Sequence, residues 1–216
     1  MPDTPQPFSA VDALRFGWEA TQRNAPLFVG LCLLQFVVSS LEGGSARPHA
    51  PGGLVHLLAQ VAGLFLAMGW WRIALRVHDG QPADLGMLKE TTLPAFLQYF
   101  LVNLVLAIAV GLGTVLLVVP GILAALTLGF APVIAVDKGV DFSTALLRSV
   151  EITRGHRVHL FVLALFALAL NLGGLLLLGL GLFATVPTTL MAVVFVYRRL
   201  DALVPFSPTQ LRGTTA

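Results

Sequence analysis

The sequence predicts an all-α polytopic membrane protein with six transmembrane helices, and three observations lead there. Charged residues make up 11% of the chain and apolar residues 56%, with mean hydropathy +0.86; a soluble domain is ordinarily about 25% charged. Two long runs, 91–136 and 158–197, contain no Asp, Glu, Lys or Arg. When the chain is divided into six spans, twelve of the thirteen basic residues fall on one side, as the positive-inside rule requires.

Each element follows in order. The stretch 1–25 is too polar for a secretory signal peptide, so the first apolar segment is expected to remain as an anchor. Spans are read at 26–41, 54–75, 95–117, 121–136, 158–176 and 180–198, within a membrane domain of 26–198 followed by a tail at 199–216. The run 91–136 would make a helix about 69 Å long, while a bilayer core is about 30 Å thick, so it must fold back. Pro120-Gly121 is the expected corner, a type II turn with a positive φ at the glycine. The run 158–197 breaks near "LLGLG" at 177–181. Spans one and four are short, which calls for tilt or local thinning.

Both termini and the loops around 72–94 and 137–157 then share the cytoplasmic side, with Arg47 alone opposite. Trp70, Trp71, Tyr99 and Tyr197 fall near cytoplasmic span ends, where interfacial aromatics are expected. The calculated pI of about 9.1 is answered by anionic headgroups rather than by nucleic acid.

Short amphipathic segments precede the hairpins. In "FSAVDALRFGWEATQRN" Asp12, Arg15, Glu19 and Arg23 share a polar face, opposite Val11, Leu14 and Trp18. In "DFSTALLRSVEITRG" the polar face is Arg148, Glu151 and Arg154, the apolar one Phe142, Leu146 and Val150, and Gly155 is the stop. "PADLGMLKE" is a weaker version with Pro82 in its first turn. Such helices are expected to lie in the headgroup plane. A shift of 133 residues superposes Leu14-Arg15 on Leu147-Arg148, and one of 68 places Pro26 and Phe28 on Pro94 and Phe96. These matches suggest three tandem units of interfacial helix plus transmembrane hairpin. Small residues at four-residue spacing (59/63/67, 107/111, 121/125/129, 169/173 and 184/188/192) mark close helix packing.

Chemistry-bearing patterns are scarce. No ionisable carboxylate or base lies well inside a span. His56 and His159 lack a visible second ligand, so neither a metal site nor a cofactor is expected, and Cys32 reads as a small hydrophobe. No catalytic residue is identified. The amides Gln35, Gln60, Gln98, Asn103 and Asn171 suit interhelical hydrogen bonds. Asn103 and Asn171 lie deepest and are the candidates for an intramembrane polar site.

"FGWEATQRN", "LLVVPGILAALTLGFAPVIAVDKG", "ALLRSVEITRG" and "LGLGLFATVPTTLMAVVFVYRRL" together resemble poorly characterised bacterial integral-membrane families. These families are related to the membrane domain fused to some glycerophosphoryl diester phosphodiesterases. The resemblance implies a multi-pass protein of the bacterial inner membrane and no particular activity, because nothing here corresponds to the phosphodiesterase catalytic domain. The expected function is a non-enzymatic module contacting membrane lipids, or other membrane proteins, through Arg15, Glu19, Arg23, Arg148, Glu151 and Arg154. The alternative is a small transporter or lipid-moving protein using Asn103 and Asn171.

Overall fold

Ser9 opens the first helix by accepting the Asp12 N–H on its hydroxyl, and α1 runs Ala10–Arg23. In the computed structural model, which describes residues 8–43, 53–177 and 179–204, all regular structure is helical. After α1 come α2 (Ala25–Gly43), α3 (Gly53–His78), a 3-10 turn (Leu85–Glu90), α4 (Leu93–Leu116), α5 (Val118–Leu128), α6 (Ala131–Lys138), α7 (Phe142–Thr153), α8 (Arg157–Leu176) and α9 (Leu182–Leu203). Arg47, the connection around it and the tail beyond 204 with Arg212 lie outside the described residues, as do the side chains of His56 and Lys89.

This is an all-α polytopic membrane protein. Four stretches are long and apolar enough to cross a bilayer: Leu57–His78, Leu93–Val115, Val118–Lys138 and Arg157–Leu176. A fifth candidate is the pair Ala10–Arg23 and Ala25–Ser40, bent by 92°. Two of the six expected spans thus fall short by length and composition alone. In α2 the described apolar part is brief, and α9 carries Thr185, Pro187, Thr188, Thr189, Arg198 and Arg199.

Two expected features are corrected. The corner after α4 is Leu117, with φ −163° and ψ 140°. Pro120 sits inside the first turn of α5, where a missing N–H costs nothing. Gly121 is helical and does not have a positive φ; its lack of a side chain instead lets α5 lie against Thr114 of α4. The span that follows is itself broken at Gly129 and Phe130, ahead of Pro132. Likewise Pro82 precedes the 3-10 turn rather than starting a helix.

The amphipathic helices pack on the bundle by one stripe each. In α1 the buried stripe is Ala13, Gly17, Ala20 and Thr21, whereas Val11 is 61% and Trp18 45% exposed. In α7 the buried stripe is Ala145, Arg148, Ser149, Ile152 and Thr153, with Leu147 exposed. Both helices press mainly small and polar residues into the protein as wedges, with Phe16 of α1 and Phe142 and Leu146 of α7 packed on the core beside the stripe.

Each wedge rests on the helix that ends the preceding pair. The 3-10 turn lays Leu88 over Gly69 of α3, and Arg72 donates to Thr91 at 3.2 Å. On the second helix, the α7 hydroxyl of Ser149 donates to the Thr127 carbonyl at 2.7 Å, where the α5–α6 break has disturbed the backbone ladder. Against the last helix α1 makes the most extensive helix–helix contact in the protein, with Gly17 seated on the Thr188 carbonyl of α9. The three contacts lie ten residues before Asp79, Asp137 and Arg198 respectively. Further contacts join α3 to α4, α5 to α8 and α9 to α2.

The same register relates the two ends of the chain, but at a shift of 132 rather than 133. It carries the capping Ser9 to the capping Asp141, the start of α2 to the start of α8, and the buried Ala13, Gly17, Ala20 and Thr21 to the buried Ala145, Ser149, Ile152 and Thr153. Phe28 and Leu31 fall on Leu160 and Leu163, all four buried. A slip of one residue turns a helix by about 100°. The identity-based alignment therefore set exposed Arg15 on buried Arg148.

The core lies where α3, α6 and α9 converge. Ile73, Ala74, Val133, Ile134, Val194 and Val196 are essentially inaccessible there. Trp70, Tyr99 and Tyr197 are buried by protein, Trp70 stacking on Phe28 at 6.2 Å. Outer helices are bare by comparison: 11% of the α4 window and 17% of the α8 window is buried, against 39% for both α3 and α5–α6. Of the small-residue stripes, Thr188 and Ala192 receive Gly17, and Gly121 meets α4, but Gly111 and Gly173 face open space.

A side chain at position 17 should therefore act on the whole fold. Gly17→Ala should cost about 1–3 kcal/mol by overpacking the α1–α9 crossing. Gly173→Ala should be neutral or stabilising by up to about 1 kcal/mol. Denaturation of the two variants in mild detergent checks the contrast.

Candidate functional site

The C-terminal ends of α3, α6 and α9 each carry charge, and the packing of their apolar faces brings those charges together. Arg198 bridges two helices, at 2.5 Å from Asp79 and 2.9 Å from Asp137. Tyr197 donates its hydroxyl to Asp137 at 2.6 Å. Lys138 lies 3.4 Å from Asp137 and 2.9 Å from Asp201. From α7, Arg148 completes the chain, donating to Asp201 at 2.8 Å, to Glu151 at 3.0 Å and to the Val204 carbonyl. His78 lies 3.1 Å from Asp79 at the other end. Three cations thus interleave with four carboxylates across four helices.

The local sequence explains the placement. "VHDG" closes α3 and "VDKG" closes α6, and their glycines take φ of 68° and 63°. A left-handed residue ends a helix and suits glycine, so each helix stops within one residue of its carboxylate. On α9, Arg198 and Asp201 are three residues apart and share a face. Burial alone would raise the Asp79 pKa, but hydrogen bonds and charge from His78 and Arg198 outweigh it and hold the carboxyl below its ordinary value. An ionised, multiply paired carboxylate accepts hydrogen bonds; it is not poised to release a proton near neutral pH. Among the described residues no three His, Cys, Asp or Glu side chains are grouped to hold a metal ion.

The residues singled out in the sequence land in different places. Arg15 pairs with Glu19 at 3.2 Å and Arg23 with Glu19 at 4.0 Å, all on the exposed face of α1. Glu151 and Arg154 are exposed. Arg148 is not on that face: its side chain is 1% exposed and its guanidinium serves the cluster. Asn103 donates within its own helix, to the Tyr99 carbonyl at 2.8 Å. Asn171 donates to the Ala167 carbonyl at 2.8 Å and, across to α9, to Thr189 at 3.0 Å. The two amides share no hydrogen-bond partner among the described residues. Gln98 of α4 accepts the Phe142 N–H at 2.9 Å and so caps α7 from outside.

Sequence reasoning missed the cluster because Arg148 was placed on an exposed polar face and the other basic residues were counted only for their side of the membrane. The available signal was the carboxylates beside them: Asp79, Asp137 and Asp201 each sit at or just past a helix end. No family model matches this chain. No curated protein or solved structure matches it either.

Two outcomes follow from this geometry. Removing one partner of a buried ion pair costs about 3–5 kcal/mol, so Arg148→Met should lower stability by an amount toward the smaller figure, since Lys138 still faces Asp201. The double variant with Asp201→Asn should recover part of the loss in chemical denaturation. The second outcome concerns pH. Asp141 caps α7 through Thr144, and although burial raises its pKa, the Ser143 and Thr144 hydrogen bonds lower it further, to about 2. A depressed folded pKa contributes stability that is full above the ordinary value and lost as pH falls through the folded one. The stability gap between wild type and Asp141→Ala should therefore be full near neutral pH and shrink from about pH 4 to about pH 2. Melting curves across that range test it.

Proposed function

We propose that this chain is a non-enzymatic module of the bacterial inner membrane, made of three tandem wedge-plus-hairpin units. On this reading six helical passes leave both termini in the cytoplasm, α2 and α9 acting as the two spans that composition alone does not select. Its cytoplasmic rim contacts lipid headgroups or partner proteins through Arg15, Glu19, Arg23 and Arg154, with Glu151 beside them. The observation that carries the reading is the division of labour among the charges. Those of the cluster are consumed in holding helices together, and those of α1 and the α7–α8 turn stay outside. The core between α3, α6 and α9 is filled by apolar side chains, which favours a scaffold over a conduit. Excess cytoplasmic Lys and Arg supports the orientation, and the remote resemblance to phosphodiesterase-linked membrane domains suits an accessory role.

Trp18 is exposed on α1, one turn from Arg15, whereas Trp70 is buried and Trp71 half-buried. Brominated phosphatidylglycerol in vesicles should therefore quench tryptophan emission several-fold more than brominated phosphatidylcholine, because exposed arginines attract anionic lipid. The excess should vanish in the R15Q/R23Q variant. Equal quenching by both lipids in the wild type would sink the headgroup reading.

A further inference from the structure

Three seams separate the helices that join one unit to the next, and they differ. The α3–α4 seam is filled by Phe65 against Phe96, with ring centroids 6.0 Å apart. The α9–α2 seam leaves a groove of about 610 Å³ lined by Cys32, Leu33, Phe36, Leu182 and Phe183, with no charged residue on it. A smaller groove of about 310 Å³ occupies the α5–α8 seam, walled by Ile122, Leu123, Leu126, Val158 and Phe161, and it carries one charged residue, Arg157.

Arg157 is exposed and pairs with no carboxylate among the described residues. Three residues earlier Arg154 is also exposed, and the turn between them is set by Gly155 at φ 85°. His156 lies between the two arginines, and burial together with the neighbouring His159 lowers its pKa. At neutral pH the charge of this turn therefore comes from the two guanidiniums. A permanently charged, unpaired guanidinium at an otherwise apolar, bilayer-facing groove is complementary to one kind of occupant. That occupant is an amphiphile with an anionic head and a hydrocarbon tail.

We propose that the α5–α8 seam is a specific binding site for one anionic phospholipid. Arg157, assisted by Arg154, takes the phosphate in charge-assisted hydrogen bonds, and an acyl chain lies along Ile122, Leu126, Val158 and Phe161. The proposal deepens the lipid-contacting reading by naming a discrete site, separate from the diffuse rim of α1.

The test is native mass spectrometry of the intact protein released from nanodiscs of equimolar phosphatidylglycerol and phosphatidylcholine. One retained phosphatidylglycerol per wild-type chain is expected. Arg157→Gln should lower its retention about tenfold, the scale of one lost charge-assisted bond. Leu123→Trp, which fills the groove and leaves the arginines in place, should lower it as well, and both variants should keep the wild-type melting temperature. R15Q/R23Q should retain the lipid, because those arginines lie on α1. Undiminished retention in both groove variants, or no retained lipid in the wild type, would overturn the site. Loss in R15Q/R23Q alone would overturn it too and leave the rim reading standing. Retention as predicted here with no Trp18 selectivity would instead remove the rim and keep the site.

Discussion

Arg198 holds Asp79 of one helix end and Asp137 of another, and the rest of the structure is arranged around that bridge. In a bilayer, apolar faces gain little by meeting each other, since lipid tails are as apolar as Leu. Helices that are to converge need either close backbone approach or polar contacts that lipid cannot supply. This protein uses both, on α3, the α5–α6 pair and α9, in the same order along each. The charges fix the ends of α3, α6 and α9, and the wedges meet α3, α5 and α9 ten residues earlier. Outer helices α4 and α8 carry no member of the charge cluster and leave most of their residues uncovered by protein.

A cluster of this kind is a constraint before it is a source of stability. Desolvating charges offsets much of what pairing returns, but leaving any member without its partner is worse. Arg148 shows the point: it is buried as completely as Ile73, and it is tolerable there because Asp201, Glu151 and the Val204 carbonyl share its donors. α7 therefore cannot leave the bundle without exposing both an arginine and an aspartate to a poorer environment. The cost of separation, more than the gain on association, is what specifies the position of α7.

Much of the architecture was legible in the sequence because its signals are local. Helix character, the charge-free runs, the Gly155 boundary and the Arg15–Glu19–Arg23 ladder depend on neighbours within one turn. What was not legible depends on which face of a helix is covered. Amphipathicity put Val11, Leu14 and Trp18 on the apolar face of α1, and Val11 and Trp18 do stay uncovered by protein, but it gave no sign that Ala13, Gly17 and Thr21 form the face that packs. For the same reason Arg148 was read among surface charges, and matching residue identities at a shift of 133 missed the correspondence of buried positions at 132. Pro120-Gly121 misled for another reason. The dipeptide matches a turn by composition, but proline in a first turn and glycine at a close crossing satisfy the same residues without one.

The ten-residue interval between wedge contact and end charge sets the contacts at Gly69, Thr127 and Thr188 about 15 Å of helix from the charges. Near those contacts the backbone is imperfect: α5–α6 breaks at Gly129 and Phe130, and Pro187 lies inside α9. A carbonyl freed away from water needs a partner from the protein. Ser149 and Thr153 reach the Thr127 carbonyl, and the Cys32 thiol lies 3.9 Å from the Phe183 carbonyl that Pro187 leaves without an N–H. The polar stripe of α7 is what a helix needs when its task is to close a break in its neighbour's backbone.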